Sequence, residues 1–222
     1  VTEIFPSFQG EGLHTGLPTT FIRLAGCGLE CSWCDTGYSR DPDSGRTMSM
    51  EEVMDEVRKL SLPLVCVTGG EPLEQKDCLG LLEALLREGY GVDLETNGSL
   101  DIGPVVKGAG RTFLSVDVKT PSSGMCGSFL MGNLMFLGEH GQLKFVVKDM
   151  DDLDFTMDFL RDHLPMTNIV ITPCGNKDGA LIAGPLLDKV RGLPPHLWEL
   201  KGRIRFMVQS HKVIWDENRR GV

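Results

Sequence analysis

The 222-residue sequence has no surplus of positive charge: 22 lysines and arginines stand against 31 aspartates and glutamates, a formal charge of −9 at pH 7. That balance opposes a nucleic-acid backbone or an anionic membrane surface as principal partner and leaves room only for a local basic pocket. Long apolar runs are missing too. None approaches the roughly 20 residues of a membrane-spanning helix, and the first residues lack the basic and apolar blocks of a secretion signal, so a cytoplasmic location is expected. No Pro/Ser-rich linker or low-complexity tract interrupts the chain, and a single domain over residues 1–222 is the simplest organisation. What is present is a globular composition, 41% hydrophobic and 24% charged, with seven cysteines. An odd cysteine count, with Cys27, Cys31 and Cys34 crowded together, points to ligation and not to disulfides.

Short β-type runs alternate with helical ones. The clearest helix follows Ser49, which can cap it with Glu52, and Met50, Val53, Met54, Val57 and Leu60 share one face. Further helices are expected over residues 78–88, near Pro104, and over 130–139, 153–163 and 181–191. Strands are expected over residues 20–25, 64–68, 92–96, 113–118, 143–148, 169–172 and 204–209. About six to seven mostly parallel strands separated by helices argue for right-handed βαβ units in an α/β fold. A closed eightfold barrel usually takes about 250 residues, so an incomplete (βα) barrel is favoured, with a flat doubly wound sheet as the alternative. Chemistry is then expected beyond the carboxyl ends of the strands, around residues 26–36, 69–72, 95–98, 119–124, 173–176 and 209–212.

Cys27, Cys31 and Cys34 form C-x3-C-x2-C in a loop after a strand, where Gly26 and Gly28 free the backbone to wrap a compact object. Structural zinc normally takes a fourth Cys or His, and an all-cysteine four-iron cluster also takes four ligands. No fourth ligand is evident nearby. Spacing and position favour a 4Fe-4S cube with one iron open to a substrate or cofactor; a zinc knuckle completed by Cys66 or Cys174, or three free thiols, are the alternatives. Other conspicuous residues read as structural. Asp151, Asp152 and Asp154 begin a helix, where acids complement the dipole. Cys66 reads as a small core residue, and Met48, Met50 and Met54 as packing groups. Residues 218–222 either cover the site or fray.

The cysteine spacing is similar to the signature loop of the radical S-adenosylmethionine superfamily, and Thr68-Gly69-Gly70-Glu71-Pro72, one βα unit later, resembles its second signature. The resemblance implies a partial barrel in which the open iron chelates S-adenosylmethionine and electron transfer cleaves it to a 5′-deoxyadenosyl radical. It places Trp33, Cys34, Asp35, Gly70 and Glu71 on that cofactor, the glycine by close backbone approach and the glutamate by accepting from its ammonium.

Within the superfamily, nearly the whole chain resembles the 7-carboxy-7-deazaguanine synthases of the queuosine and archaeosine precursor pathways. Phe5-Pro6-Ser7-Phe8-Gln9-Gly10-Glu11-Gly12 resembles their N-terminal substrate loop, which implies substrate contacts from Phe8, Gln9, Gly10 and Glu11. Arg23 shares a strand face with Phe21 and Ala25, opposite Ile22 and Leu24; the family uses this position for the carboxylate of 6-carboxy-tetrahydropterin. Thr36, after Asp35, corresponds to a Mg2+ ligand, and Thr68 to a substrate contact. Glu95-Thr96-Asn97-Gly98 resembles a segment that reaches cofactor or substrate. Asp117-Val118-Lys119 aligns with a cofactor-contacting segment that reads Ser-Pro-Lys in many members, and Thr172-Pro173-Cys174 falls in another cofactor loop; both depart from the family pattern. Gln209-Ser210-His211-Lys212 resembles the closing motif, whose glutamine and histidine face substrate. Taken together, the resemblance implies a lyase that uses a 4Fe-4S cluster, S-adenosylmethionine and Mg2+ on a pterin substrate. It also implies a flavodoxin or ferredoxin type electron donor and a homodimer, with His211 and Glu95 as candidate proton-transfer groups. A glycyl-radical activating enzyme, which shares the cysteine spacing, and a non-catalytic zinc or iron-sulfur module are the rival readings.

Overall fold

The computed structural model describes residues 1–175, 179–215 and 221. Eight strands form one sheet in sequential order: β1 (Glu3–Phe8), β2 (Pro18–Leu24), β3 (Leu64–Gly69), β4 (Gly91–Thr96), β5 (Phe113–Asp117), β6 (Gly141–Val147), β7 (Asn168–Pro173) and β8 (Ile204–Phe206). β1 runs antiparallel to β2, with Glu3 opposite Arg23 and Phe5 opposite Phe21. All later neighbours are parallel. A doubly wound sheet reverses its strand order at a switch point. Here the order never reverses, and among the described residues β8 does not pair with β1, so this is an open (βα) barrel. The strand count exceeds the expected six to seven because residues read as the start of a loop form β1. Their alternation is masked by Pro6, which an edge strand tolerates.

Helix α1 (Met50–Leu60) follows β2, α2 (Cys78–Arg87) β3, α3 (Gly103–Gly108) β4 and α4 (Met150–His163) β6; α5 (Gly179–Gly192) and α6 (Trp198–Arg203) both follow β7, α7 (His211–Ile214) follows β8, and β5 is followed only by 3-10 turns. Local chemistry starts them where the sequence indicates. Ser49 Oγ accepts from Glu52 N at 3.3 Å while a Glu52 carboxylate oxygen accepts from Ser49 N at 2.7 Å, a complete capping box. Val53, Met54 and Val57 of α1 turn inward, whereas Met50 is 37% exposed and does not pack as expected. The expected helix over 130–139 is instead a 3-10 turn, Met131–Phe136. Gly132 and Gly138 weaken a helix there, and the Asn133 amide is committed to backbone groups elsewhere: it accepts from Ile102 N and donates to Gly98 O and Leu100 O. β8 keeps only the first half of its expected span, and His211 opens α7 instead of closing a strand.

Strand alternation divides the sheet into two chemically different faces. Ile22, Leu24, Val65, Val67, Val92, Leu94, Leu114, Val116, Leu143 and Phe145 join the buried helix residues in one apolar core outside the barrel. The alternate positions turn to the interior and are mostly polar: Arg23, Thr68, Asp93, Glu95, Ser115, Asp117, Gln142 and Lys144, relieved by a small apolar group of Phe5, Phe21 and Cys66. Cys66 is thus buried as expected, but inside the barrel and not in the main core. Burying this many polar groups is costly unless they pair with one another or with a ligand. The fold therefore concentrates its chemistry inside the barrel.

Candidate active site

The cysteine loop leaves β2 at Leu24 and is held from two sides. Gly26 N donates to Ser39 O at 2.8 Å and Cys27 N to Arg40 O at 3.0 Å. On the other side Ser32 N donates to Ser123 O, Ser32 Oγ to Ser122 O, and Trp33 Nε1 to Ser122 Oγ at 3.2 Å. The supporting turn is itself anchored: the buried Asp152 carboxylate accepts from Ser122 N and Lys148 N, each at 2.8 Å, and from Ser122 Oγ. Asp152, at the start of α4, is thus committed to bracing this turn.

Cys27, Cys31 and Cys34 are each half-buried on the wall of a cavity of about 700 Å3. Burial pushes the Cys27 and Cys31 thiols up, so they favour the neutral form until a metal displaces the proton. A single tetrahedral zinc, with bonds of about 2.3 Å, holds its sulfurs about 3.8 Å apart. Among the described residues, the potential ligand trio whose donor atoms all lie within 4.8 Å of one another is Glu11, Asp35 and His211, not the cysteines. The three sulfurs do not all lie that close to one another, as a single ion would require. Cys66, one proposed zinc completion, is enclosed by Phe5 and Phe21 away from the cavity, while Cys174 does line it. The side-chain amide of Asn97 lies 3.7 Å from Cys27 Sγ and is positioned to donate to a thiolate there.

Gly69 and Gly70 carry the chain from β3 across this loop. A Cβ on Gly70 would lie 1.9 Å from Gly26 O, and one on Gly69 2.2 Å from Leu24 O. The glycine pair is thus required by backbone packing beneath the cysteine loop, and it also bares Gly70 to the cavity. Glu71 does not reach the cavity, contrary to the expected cofactor contact. Its carboxylate is fully buried and accepts from Thr96 Oγ1, Asn97 N and Leu73 N at 2.7 to 3.0 Å, tying β3 to β4. Burial nevertheless pushes its carboxyl above the usual range. Two more expected cofactor residues face away: Val118 lies in the outer core, and Thr172 is 1% exposed and off the cavity wall. Their segment ends carry the wall instead, through Asp117, Lys119 and Cys174. Asn176 of the expected 173–176 loop lies outside the described residues, as does the expected terminal segment except Gly221, which lines the cavity.

The other expected residues converge. Phe8, Gln9, Gly10 and Glu11 leave β1 on one side, Arg23, Thr68 and Glu95 rise from the floor, and Trp33, Asp35, Thr36, Gln209 and His211 close the rim. Gly10 is needed for that closure, because a Cβ there would meet the His211 ring at 2.3 Å. Glu95 accepts from Thr68 Oγ1 at 2.8 Å and Gln9 Nε2 at 3.2 Å. Arg23 lies over the Phe5 ring, and its Nε is buried without a hydrogen bond, 3.7 Å from an equally unsatisfied Glu3 oxygen. An interior guanidinium so placed is ready for an added anion.

Lys144 is the residue that sequence reasoning missed. Its Nζ lies 2.5 Å from a Glu11 oxygen and 3.3 Å from Asp117, while Lys119 Nζ lies 2.6 Å from the other Asp117 oxygen and over the Trp33 ring. Gln209 Nε2 donates to Glu11 at 2.5 Å, and Lys212 Nζ to Gln209 at 2.7 Å. Burial alone would raise the Glu11 carboxyl; the Lys144 and His211 charges and the two donors outweigh it and hold the group at about 2. Burial would likewise deprotonate Lys144, but Asp117, Glu11 and Glu95 keep its ammonium well above the usual range. A charged residue alternating with Gln142 in an otherwise apolar strand was the available signal, the same one that singles out Arg23.

A family model described as the radical SAM superfamily matches residues 21–131. The chain is 37% identical to the 7-carboxy-7-deazaguanine synthase of Koribacter versatilis, over all of this chain and 99% of that one. It is also 37% identical to the enzyme of the same name from Thermoplasma acidophilum, over 98% and 97% of the two chains. The crystal structure of QueE from Escherichia coli superposes with a TM-score of 0.70 at 22% identity, covering 95% of this chain and 93% of that one, which shows the shared fold. Full-length matches of this kind set aside both an activating enzyme and a zinc module: the chain belongs to the 7-carboxy-7-deazaguanine synthase family of the radical SAM superfamily.

Proposed function

We propose that the protein converts 6-carboxy-5,6,7,8-tetrahydropterin to 7-carboxy-7-deazaguanine and ammonia, with S-adenosylmethionine regenerated in each cycle. The observation that carries this reading is one cavity lined by the Cys27, Cys31 and Cys34 thiols together with the interior charges of Arg23, Glu95 and Lys144. Cys27, Cys31 and Cys34 would hold the 4Fe-4S cluster and leave one iron free, with the Asn97 amide supporting the Cys27 sulfur. When bound, cluster and S-adenosylmethionine supply the radical that takes a hydrogen atom from substrate carbon 6 and later returns it. Gly70 and the Trp33, Asp35, Asp117, Lys119 and Cys174 edge of the cavity would receive the cofactor.

Arg23 would take the substrate carboxylate, for which a planar guanidinium is suited. The N–H-rich edge of the pterin would donate to Glu95, which Gln9 and Thr68 orient, and to Glu11, which Lys144 holds ionised. Mg2+ would sit at Thr36, whose hydroxyl lines the cavity near Asp35, and draw its remaining oxygens from substrate and water. His211 or Glu95 would move protons after the radical step. The half-exposed cysteine loop leaves a cluster within reach of a flavodoxin or ferredoxin type donor. The enzyme would act as a cytoplasmic homodimer in the queuosine or archaeosine precursor pathway. Among the described residues no helix is long and apolar enough to cross a membrane.

Anaerobic turnover of the reconstituted protein with the carboxy-pterin, S-adenosylmethionine, Mg2+ and a reductant tests the reading. Deazaguanine and ammonia are expected in equal amounts without net loss of S-adenosylmethionine. Cleavage of S-adenosylmethionine with no deazaguanine would overturn the substrate assignment.

A further inference from the structure

A second, much smaller void of about 10 Å3 lies inside the barrel beside the main cavity and shares Gln9, Glu11 and Glu95 with it. That is the room of about one water molecule. Asp93 and Glu95 reach it from β4, Glu11 and His14 from the segment after β1, and neutral Phe113, Ser115 and Gln142 from β5 and β6. Its lining is polar enough to give a water several partners. Gln142 Nε2 already donates to Ser115 Oγ at 2.8 Å, and Gln142 Oε1 accepts from Leu13 N at 3.0 Å.

We propose that His14, Asp93 and one water in this void form a proton route between solvent and Glu95. His14 Nδ1 lies 2.8 and 3.0 Å from the two Asp93 oxygens, and its ring stacks at a tilt on Phe113 with centroids 4.4 Å apart. The His14 side chain is 31% exposed while Asp93 is 4% exposed, so the pair spans from solvent to interior. Asp93 and Glu95 share a strand face two residues apart, and both line this one-water void, so a single water there contacts both carboxylates. Glu95 in turn opens on the main cavity. The void thus joins the exposed imidazole to the floor of the site without passing through the cavity mouth that substrate and cofactor would fill.

The inference rests on the reaction proposed above. Substrate and product differ by the elements of NH3, so each proton the departing nitrogen gains is one that the ring framework loses, and no oxidant or reductant is needed. Glu95 accepts a ring proton. The void water takes it up while giving another to Asp93, and His14 releases one to solvent; the nitrogen is protonated from the cavity side. Asp93 raises the proton affinity of His14 through its hydrogen bond and charge, and burial raises that of Asp93, so a proton placed on the pair is shared along the 2.8 Å contact. Glu11 and Glu95 are the other charged groups facing the void. His14 and Asp93 act through Glu95 and are positioning and relay residues, not catalytic ones.

The test compares wild type, Asp93→Asn and His14→Ala as reconstituted holoenzymes, with the histidine titration followed by NMR on each. A fall in kcat of about tenfold or more is expected in both variants, with KM and cluster content unchanged and an altered pH profile. Added imidazole is expected to restore His14→Ala but not Asp93→Asn, and Asp93→Asn is expected to lower the His14 titration midpoint. Unchanged kcat and pH profile in both variants, or a loss that imidazole leaves untouched and that shows no pH signature, would overturn the route. Wild-type protein that makes no deazaguanine would overturn the reaction itself, which is a distinct outcome.

Discussion

Replacing Lys144 with methionine keeps the length of the side chain and removes the cation at the centre of the interior charge network. Asp117 retains Lys119 at 2.6 Å, so the carboxylate left most exposed to the change is Glu11, at 14% side-chain exposure, with Gln209 and the more distant His211 as its remaining partners. Two routes give the magnitude. Removing one partner of a buried ion pair costs about 3–5 kcal/mol. Independently, the depression of the Glu11 carboxyl from 4.5 to about 2 corresponds to about 3 kcal/mol of favourable interaction with the ionised form. The sign with pH follows from linkage. In the wild type the folded-state value is depressed, so this stabilisation is complete above about pH 4.5 and is lost as the pH falls toward 2. With Lys144 gone, its charge and hydrogen bond no longer offset burial and only His211 and Gln209 favour the ionised form, so the folded-state value rises and the loss of stability is greatest near neutrality and shrinks on acidification. Urea unfolding of the apoprotein under reducing conditions at pH 7.5 and pH 5 is the assay. Lys144→Met is expected to lose about 3 kcal/mol at pH 7.5, with a smaller gap from wild type at pH 5. A loss below about 1 kcal/mol, or a gap that does not narrow at pH 5, would refute the argument that Lys144 is what keeps Glu11 ionised.

Three further outcomes follow from the site geometry. Cys34→Ala is expected to abolish the reconstituted cluster and all S-adenosylmethionine cleavage; iron and sulfide analysis matching the wild type would contradict it. Thr36→Ala is expected to leave iron and sulfide content intact and to raise the Mg2+ concentration needed for half-maximal turnover, and an unchanged Mg2+ titration would remove that residue from the metal site. Gly70→Ala places a methyl group 1.9 Å from Gly26 O, where only backbone movement relieves the clash. It is expected to destabilise the fold by about 1–3 kcal/mol, the usual cost of forced overpacking, and to weaken cluster assembly, both readable from thermal unfolding and iron content; wild-type values in both would refute the packing role of the glycine pair.

Much of the fold was legible because it rests on local chemistry. The Ser49 and Glu52 capping box, the apolar face of α1 and the alternation along β3 to β7 are each decided within a few residues. The errors arose where local signals compete. Pro6 hid an edge strand, and Asn133, which reads as a neutral member of a helical run, spends its amide on the backbone of another segment. Among site residues the cysteine loop was the clearest, since three thiols so close in sequence have few structural uses. Val118, Thr172 and Glu71 turn their side chains away from the cavity, because proximity to a motif says nothing about which way a side chain faces.

The sequence by itself determined the cysteine loop, the glycine pair after β3, the succession of βα units and the alternation that sets Arg23 and Glu95 apart from their apolar neighbours. Only the tertiary structure decided that Glu11, Lys144 and Gln209, separated by up to 198 positions, meet in one charge network, that Glu71 braces two strands, and that His14 finds Asp93. The physical reason is that a buried charge is tolerated only opposite a partner. In an open barrel that partner comes from whichever strand curvature and register bring to the same interior face, which no local stretch of sequence specifies.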